Sequence, residues 1–311
     1  MKTNEPLKIF LGIMLAWLCL SCQSLTAQNI KNEASQYLTW ESFDSKFVLP
    51  RHIEIRLPPN YDSNKTYPVL YMHDGQNVFD SENSHWGKSW ELGKTLDSLD
   101  QNHPLSQIII VAPWSTERRF LEYCPAKPAE AIPVDSLKKW RHQNTDLSLQ
   151  SDYYLRFLVE ELKPAVDNAF STKADRAHTF IAGSSMGGLI SWYAVSEYPM
   201  VFGGAACLSP HWPLRLDSDS KWFTNAALDY LSKQSLNSET LPKLYFDCGT
   251  ATLDTPYRFH QKRIDSLYLS TGFYNEKNFK SLVFEGAEHD ENAWKPRIAP
   301  ALGFIMGINQ Q

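Results

Sequence analysis

The chain has 311 residues, 43% of them hydrophobic, enough to bury a full α/β core without a second domain. Its formal net charge of −5 carries no basic stripe, which argues against nucleic-acid binding. There is no P-loop, dinucleotide fingerprint or zinc-type His/Cys spacing, so no cofactor and no metal is expected.

Lys2 and Lys8 precede the apolar stretch Ile9 to Leu20, short for a membrane span and typical of a signal peptide. Two processing sites compete: Cys22 after Leu20-Ser21, with a lipid anchor, or cleavage after Ala27 to free Gln28. Residues 1–27 therefore read as an export segment and 28–311 as a single domain. The mature protein is expected outside the cytoplasm, whether periplasmic, secreted or lipid-anchored to a bacterial membrane. Beyond that segment only Cys124, Cys207 and Cys248 remain, which implies no disulfide framework. Cys207 and Cys248 read as small buried residues on core strands.

Strands are predicted at 38–43, 52–57, 69–72, 107–111, 179–182, 204–208, 243–247 and 282–284, with helical stretches between them. The clearest helix runs over 152–170, where Leu155, Leu158, Leu162 and Val166 share one face. Such alternation implies a mainly parallel sheet covered on both faces, with reactive groups at the carboxyl ends of its strands. The stretch from Pro113 to Gln150 is longer than a plain connection needs and reads as a cap over a pocket. Trp114, Arg118, Arg119, Glu122 and Tyr123 from it, with Trp86, Trp90 and Trp212 from other loops, are candidate substrate contacts.

Gly183-Ser184-Ser185-Met186-Gly187 lies between a predicted strand and a predicted helix, the context that gives a G-x-S-x-G element its meaning. The turn must be tight, and Ser185 is the candidate nucleophile. Such a serine needs a base and a group to orient it. His289 sits in a Gly-containing loop after the last strand and is the candidate base. His211 lies at a strand end and is placed to line a pocket, while His260 sits in a helical stretch. For the acid, Asp254 lies in the loop beyond the strand around Tyr245, and Asp247 within that strand is the reserve. An oxyanion hole needs a second loop. His73-Asp74-Gly75-Gln76, after the third strand, supplies it, so the paired donors are the amides of Gln76 and Met186.

Three segments, 72–80, 182–188 and 286–290, together resemble the putative-esterase family of α/β-hydrolases. The joints 57–61, 161–164 and 208–210 add to the likeness, which runs from about Leu38 to Phe304. It implies an α/β-hydrolase fold, a Ser185–His289–acid triad and hydrolysis of carboxylic esters. That family includes siderophore trilactone, feruloyl and acetyl-xylan esterases and S-formylglutathione hydrolases. Many members carry a carboxylate two or three residues after the glycine of the penultimate strand, where this chain has Ala251 and Thr252. The expected substrate is a small-molecule or saccharide ester that is polar or aromatic. Acyl transfer to a sugar hydroxyl and a non-catalytic binding protein of the same fold are the alternatives.

Overall fold

Strands and helices alternate along the chain, and the order in which the strands pair decides where the reactive loops meet. The computed structural model describes residues 34–84, 87–132, 148–214 and 221–308. The proposed export segment, with Cys22 and Gln28, lies outside them, as does Trp86. The strands are β1 (Gln36–Phe43), β2 (Arg51–Leu57), β3 (Val69–Met72), β4 (Ile109–Pro113), β5 (Thr179–Ser184), β6 (Gly204–Leu208), β7 (Lys243–Gly249) and β8 (Phe279–Phe284). They form one sheet in the order β1-β2-β4-β3-β5-β6-β7-β8. From β4 to β8 every pairing is parallel, whereas β2 runs antiparallel to both β1 and β4.

The helices are α1 (Leu92–Asp97), α2 (Arg119–Tyr123), α3 (Ala126–Ala129), α4 (Ser151–Arg156), α5 (Lys163–Ala169), α6 (Met186–Glu197), α7 (Trp222–Ser232), α8 (Tyr257–Ser270) and α9 (Glu291–Met306). The central strands β3 to β7 are buried along nearly their whole length, as expected where helices cover both faces. Side chains alternate between two cores. Val69, Tyr71, Ile181, Ala205, Leu244 and Phe246 join the face carrying α6 and α8. Leu70, Met72, Phe180, Ala206 and Tyr245 join the face carrying α1 and α9. The helix α6 is buried nearly all round, which fits its position at the centre of the first core.

Two elements depart from expectation. The helix foreseen over 152–170 exists as α4 and α5 joined by a π-helical turn, Phe157–Leu162. Pro164 has no N–H to donate back into that turn, so the hydrogen-bond ladder shifts register there. Leu155, Leu158, Leu162 and Val166 all face the core regardless. The strand foreseen at 107–111 runs two residues later, ending where Pro113 pairs with Ile53.

Candidate active site

Ser185 stands between the end of β5 and the first residue of α6 with φ 57° and ψ −121°, a backbone region that a non-glycine residue enters at a cost of about 1–3 kcal/mol. The strain is held from several sides. The Ser185 N–H donates to the Leu208 carbonyl at 3.0 Å, and its carbonyl accepts from His211 N–H at 3.1 Å and Leu189 N–H at 3.2 Å. The flanking glycines supply the room. A Cβ on Gly183 would stand 2.8 Å from the Gly187 carbonyl, closer than real contacts allow. Ser185 itself is half-buried, so its hydroxyl lies at the edge between core and solvent.

His289 and Asp254 meet across two laced loops. His289 Nδ1 is 2.6 Å from Asp254 Oδ1, and Asp254 is fully buried. The second oxygen of Asp254 accepts from Gly249 N–H at 2.6 Å and from the Ser209 hydroxyl at 2.6 Å. Behind this, the N–H groups of Thr250 and Ala251 donate to the Ala287 carbonyl. His289 N–H donates to Thr252 Oγ1 at 2.9 Å, and Gly286 N–H to Thr250 Oγ1 at 2.8 Å. Thr252, at a position where family relatives often carry a carboxylate, thus accepts from the backbone of His289 instead. A Cβ on Gly249 would fall 2.1 Å from the Ala287 oxygen, so only glycine lets the two loops approach this closely.

The imidazole of His289 is walled by two rings set edge-on to it. Trp294 is 4.8 Å away and Tyr257 5.4 Å, centre to centre. Trp90 stacks on Trp294 at 5.5 Å. The Tyr257 hydroxyl bonds to His211 Nδ1. Burial, followed by the charges of His289 and Arg119, lowers the His211 pKa to about 3, which keeps that ring neutral. His260 is also buried and bonds to Thr224 at 2.7 Å.

Asp247 occupies different ground. The two-residue period of β7 puts it on the face of Tyr245, where α9 supplies Arg297. Its Oδ1 accepts from Ser209 N–H at 3.1 Å and lies 3.6 Å from Arg297 Nη1. Its Oδ2 accepts from the Tyr245 hydroxyl at 3.2 Å. Burial pushes its pKa up to about 6 despite Arg297. Asp290, next to His289, caps α9 by accepting from Ala293 N–H and pairs with Lys88 at 2.6 Å.

The loop after β3 turns through Asp74, with φ 57°, into the 3₁₀ turn Gly75–Asn77. A Cβ on Gly75 would lie 2.2 Å from the Ala112 oxygen, so glycine is required for that approach to β4. The Gln76 side chain is fixed by Ser115, whose N–H donates to Gln76 Oε1 at 3.0 Å. Asn77 donates to Glu291 Oε1 at 2.9 Å, and Lys295 pairs with Glu91, tying this loop to α9.

Several expected substrate contacts are corrected. Tyr123, Trp212 and Trp90 are at most 1% exposed and belong to the cores, so none of them reaches a substrate. Trp212 donates to Gln261 at 2.7 Å, and the Tyr123 ring packs against those of Tyr154 and His73. Glu122 is buried as well, forming an ion pair with Arg51 at 2.7 Å. Arg119 is already engaged, gripping Asp74 with two hydrogen bonds of 2.6 and 2.7 Å. Burial alone would raise the Asp74 carboxyl, but Arg119 outweighs it and holds the group below the usual carboxylate range. Trp114 is half-buried and Arg118 exposed, so these two retain access to solvent. Of the proposed cap, residues 133–147 lie outside the described residues. What the motif reading missed was Ser209, Gly249, Tyr257 and Trp294; the bonds of Ser209 to Asp254, of Tyr257 to His211 and of Trp294 to Ser209 each span more than 40 residues.

Comparison with known proteins agrees with this architecture. The chain is similar to the uncharacterized protein YbbA of Bacillus subtilis (strain 168), 25% identical over 267 residues, covering 84% of this chain and 94% of that one. Its fold matches a solved ferulic acid esterase with a TM-score of 0.61 at 19% identity, over 89% of this chain and 100% of the other. It also matches the enterochelin esterase of Shigella flexneri with a TM-score of 0.63 at 16% identity, over 91% of this chain and 59% of that one. A family model described as Putative esterase matches residues 46–305, most of the chain, and the protein belongs to that family of carboxylic ester hydrolases.

Proposed function

We propose that the protein is an exported serine esterase in which Ser185 is the nucleophile, His289 the base and Asp254 the residue that orients the base. The observation that carries this reading is the 2.6 Å pair of His289 and Asp254, on loops at the same edge of the sheet as the Ser185 turn. Ser185 Oγ attacks the ester carbonyl while His289 Nε2 takes its proton. The imidazolium so formed is stabilised by the Asp254 carboxylate, already desolvated and held by two further donors, Gly249 N–H and the Ser209 hydroxyl. His289 then gives the proton to the leaving alcohol, and water reverses the sequence to release the acid. Met186 opens α6, where the first N–H groups have no partner within the helix; with the Gln76 N–H it is assigned the oxyanion.

The proposed substrate is a polar or aromatic ester rather than a long-chain lipid. The names of two structural neighbours, a ferulic acid esterase and an enterochelin esterase, favour that class. In this chain Trp114 and Arg118 are the remaining candidates to meet it. A panel of short-chain, long-chain, feruloyl, acetyl-sugar and trilactone esters compared by kcat/KM tests the assignment. Preference for long acyl chains overturns it. Adding acceptor sugars and analysing products distinguishes hydrolysis from acyl transfer. Export rests on the amino-terminal pattern of Lys2, Lys8 and the apolar run to Leu20. Mass spectrometry of the native N-terminus should find lipidated Cys22 or free Gln28, and an intact Met1 in the cytosol contradicts it.

A further inference from the structure

Ser209 stands one residue beyond β6, fully buried, with φ 40°. That is the left-handed region, where a non-glycine residue is uncommon. Its backbone N–H is shared between the carbonyl oxygen of Asp247 at 3.0 Å and Asp247 Oδ1 at 3.1 Å. The hydroxyl proton goes to Asp254 Oδ2 at 2.6 Å, and the hydroxyl oxygen accepts from Trp294 Nε1–H at 3.0 Å. Trp294 is the ring that walls His289. The preceding carbonyl, that of Leu208, accepts the N–H of Ser185. One residue is therefore bonded to the acid, to the wall of the base and, through its neighbour, to the turn of the nucleophile.

We propose that Ser209 is a positioning residue for ester hydrolysis, fixing the Asp254 carboxylate so that its other oxygen faces His289 Nδ1. The inference rests on the triad assigned above. A carboxylate on a one-turn 3₁₀ segment has freedom to rotate about its side-chain bonds. Gly249 N–H and the Ser209 hydroxyl, both on Oδ2, remove that freedom and leave Oδ1 for the imidazole. The Trp294 indole N–H occupies one lone pair of the serine oxygen, which favours the hydroxyl proton pointing to Asp254. Asp247 completes the arrangement from behind by holding the strained backbone of Ser209. This gives the second aspartate a part in the site without contact with the histidine.

The hydroxyl and the backbone make separable contributions. Ser209→Ala removes the hydroxyl and keeps a Cβ in the left-handed region, whereas Ser209→Gly removes the hydroxyl and relieves the backbone. Both variants should lose about 10- to 100-fold in kcat with KM changed by less than about threefold, because orientation at the reacting centre is what is lost. Trp294→Phe, which keeps the ring and deletes the indole donor, should lower kcat in the same direction by a smaller factor. Melting temperatures, measured alongside, should show the glycine variant folded. Wild-type kcat in Ser209→Gly overturns the proposal, since the backbone rather than the hydroxyl would then be what matters. So does a change confined to KM. Ser185→Ala and Asp254→Asn are assayed in parallel. If they lose activity while the Ser209 variants keep it, only the role of Ser209 falls. If they stay active, the triad falls and the proposal with it.

Discussion

The acid–base corner and the segment following β4 both hang from carboxyl ends of the sheet, yet their charged groups are satisfied in opposite ways. In the corner, Asp254 and His289 bond to each other, and the loops carrying them are laced together by the Thr250 and Ala251 N–H groups on the Ala287 carbonyl and by the Thr250 and Thr252 hydroxyls on backbone N–H groups. In the segment, Glu122 turns inward to Arg51 and Arg119 closes on Asp74, partners dozens of residues earlier. Position beyond a strand end anticipated that Asp254 and His289 would meet in the first region. Residue type did not anticipate exposure in the second. A run of charges and aromatics is as able to build a buried ion-pair lattice as a binding rim, and the choice depends on which distant loops come to meet it.

The sharpest way to break this contrast is to remove the nucleophile. Ser185→Ala should lower kcat by about four orders of magnitude or more while leaving the melting temperature within a few degrees of wild type. Residual activity near wild type would place the chemistry elsewhere. Next in size is the pair of aspartates. Asp254→Asn should cost about 10³- to 10⁴-fold in kcat, since an amide no longer selects the productive imidazole tautomer. Asp247→Asn should cost far less in rate and act mainly on stability, because it disturbs the buried acceptor of the Ser209 N–H and the Tyr245 hydroxyl beside Arg297. Denaturant unfolding and initial rates on both variants check this; a reversed pattern makes Asp247 the acid.

Much of the site was legible because it obeys local rules. The strand–glycine–serine–glycine–helix order marks Ser185 as the candidate nucleophile, and the loop of Gly286 after the last strand marks His289 as the candidate base. The parallel core of the sheet followed from strand–helix alternation, and the antiparallel β1–β2 edge did not, since a hydrophobic pattern carries no strand direction. Ser209 and Trp294 escaped for a related reason. Ser209 sits 45 residues from Asp254, and Trp294 sits 85 residues from Ser209, so only the folded sheet brings the three together. Trp212 and Tyr123 were misplaced because an aromatic ring fills a core as readily as it lines a pocket.

A smaller effect sharpens the contrast within the second region. Arg119→Ala deprives Asp74 of its partner and should destabilise the fold by about 1–3 kcal/mol, less than a fully buried pair because the Arg119 side chain is 33% exposed. Arg118→Ala should leave the melting temperature unchanged and act, if at all, on KM for an anionic ester. Equal destabilisation by the two would erase the distinction drawn between them.

A separate expected effect is on pH dependence. The folded pKa of Asp247, about 6, lies above its usual 3.8, so the folded protein holds this proton more tightly than the unfolded chain. The stability it contributes is complete below about pH 4 and is lost as pH rises through about 6. The melting temperature of wild type relative to Asp247→Asn should therefore fall across that window, and a flat difference would contradict the assignment.

The most direct test of the central claim is covalent capture of the nucleophile. The full-length protein is treated with a fluorophosphonate, and the modified peptide is located by tandem mass spectrometry. One adduct is expected, on Ser185, formed at a rate that collapses in His289→Ala and in Asp254→Asn. An adduct on another residue, or labelling of Ser185 that ignores the loss of His289, would contradict it.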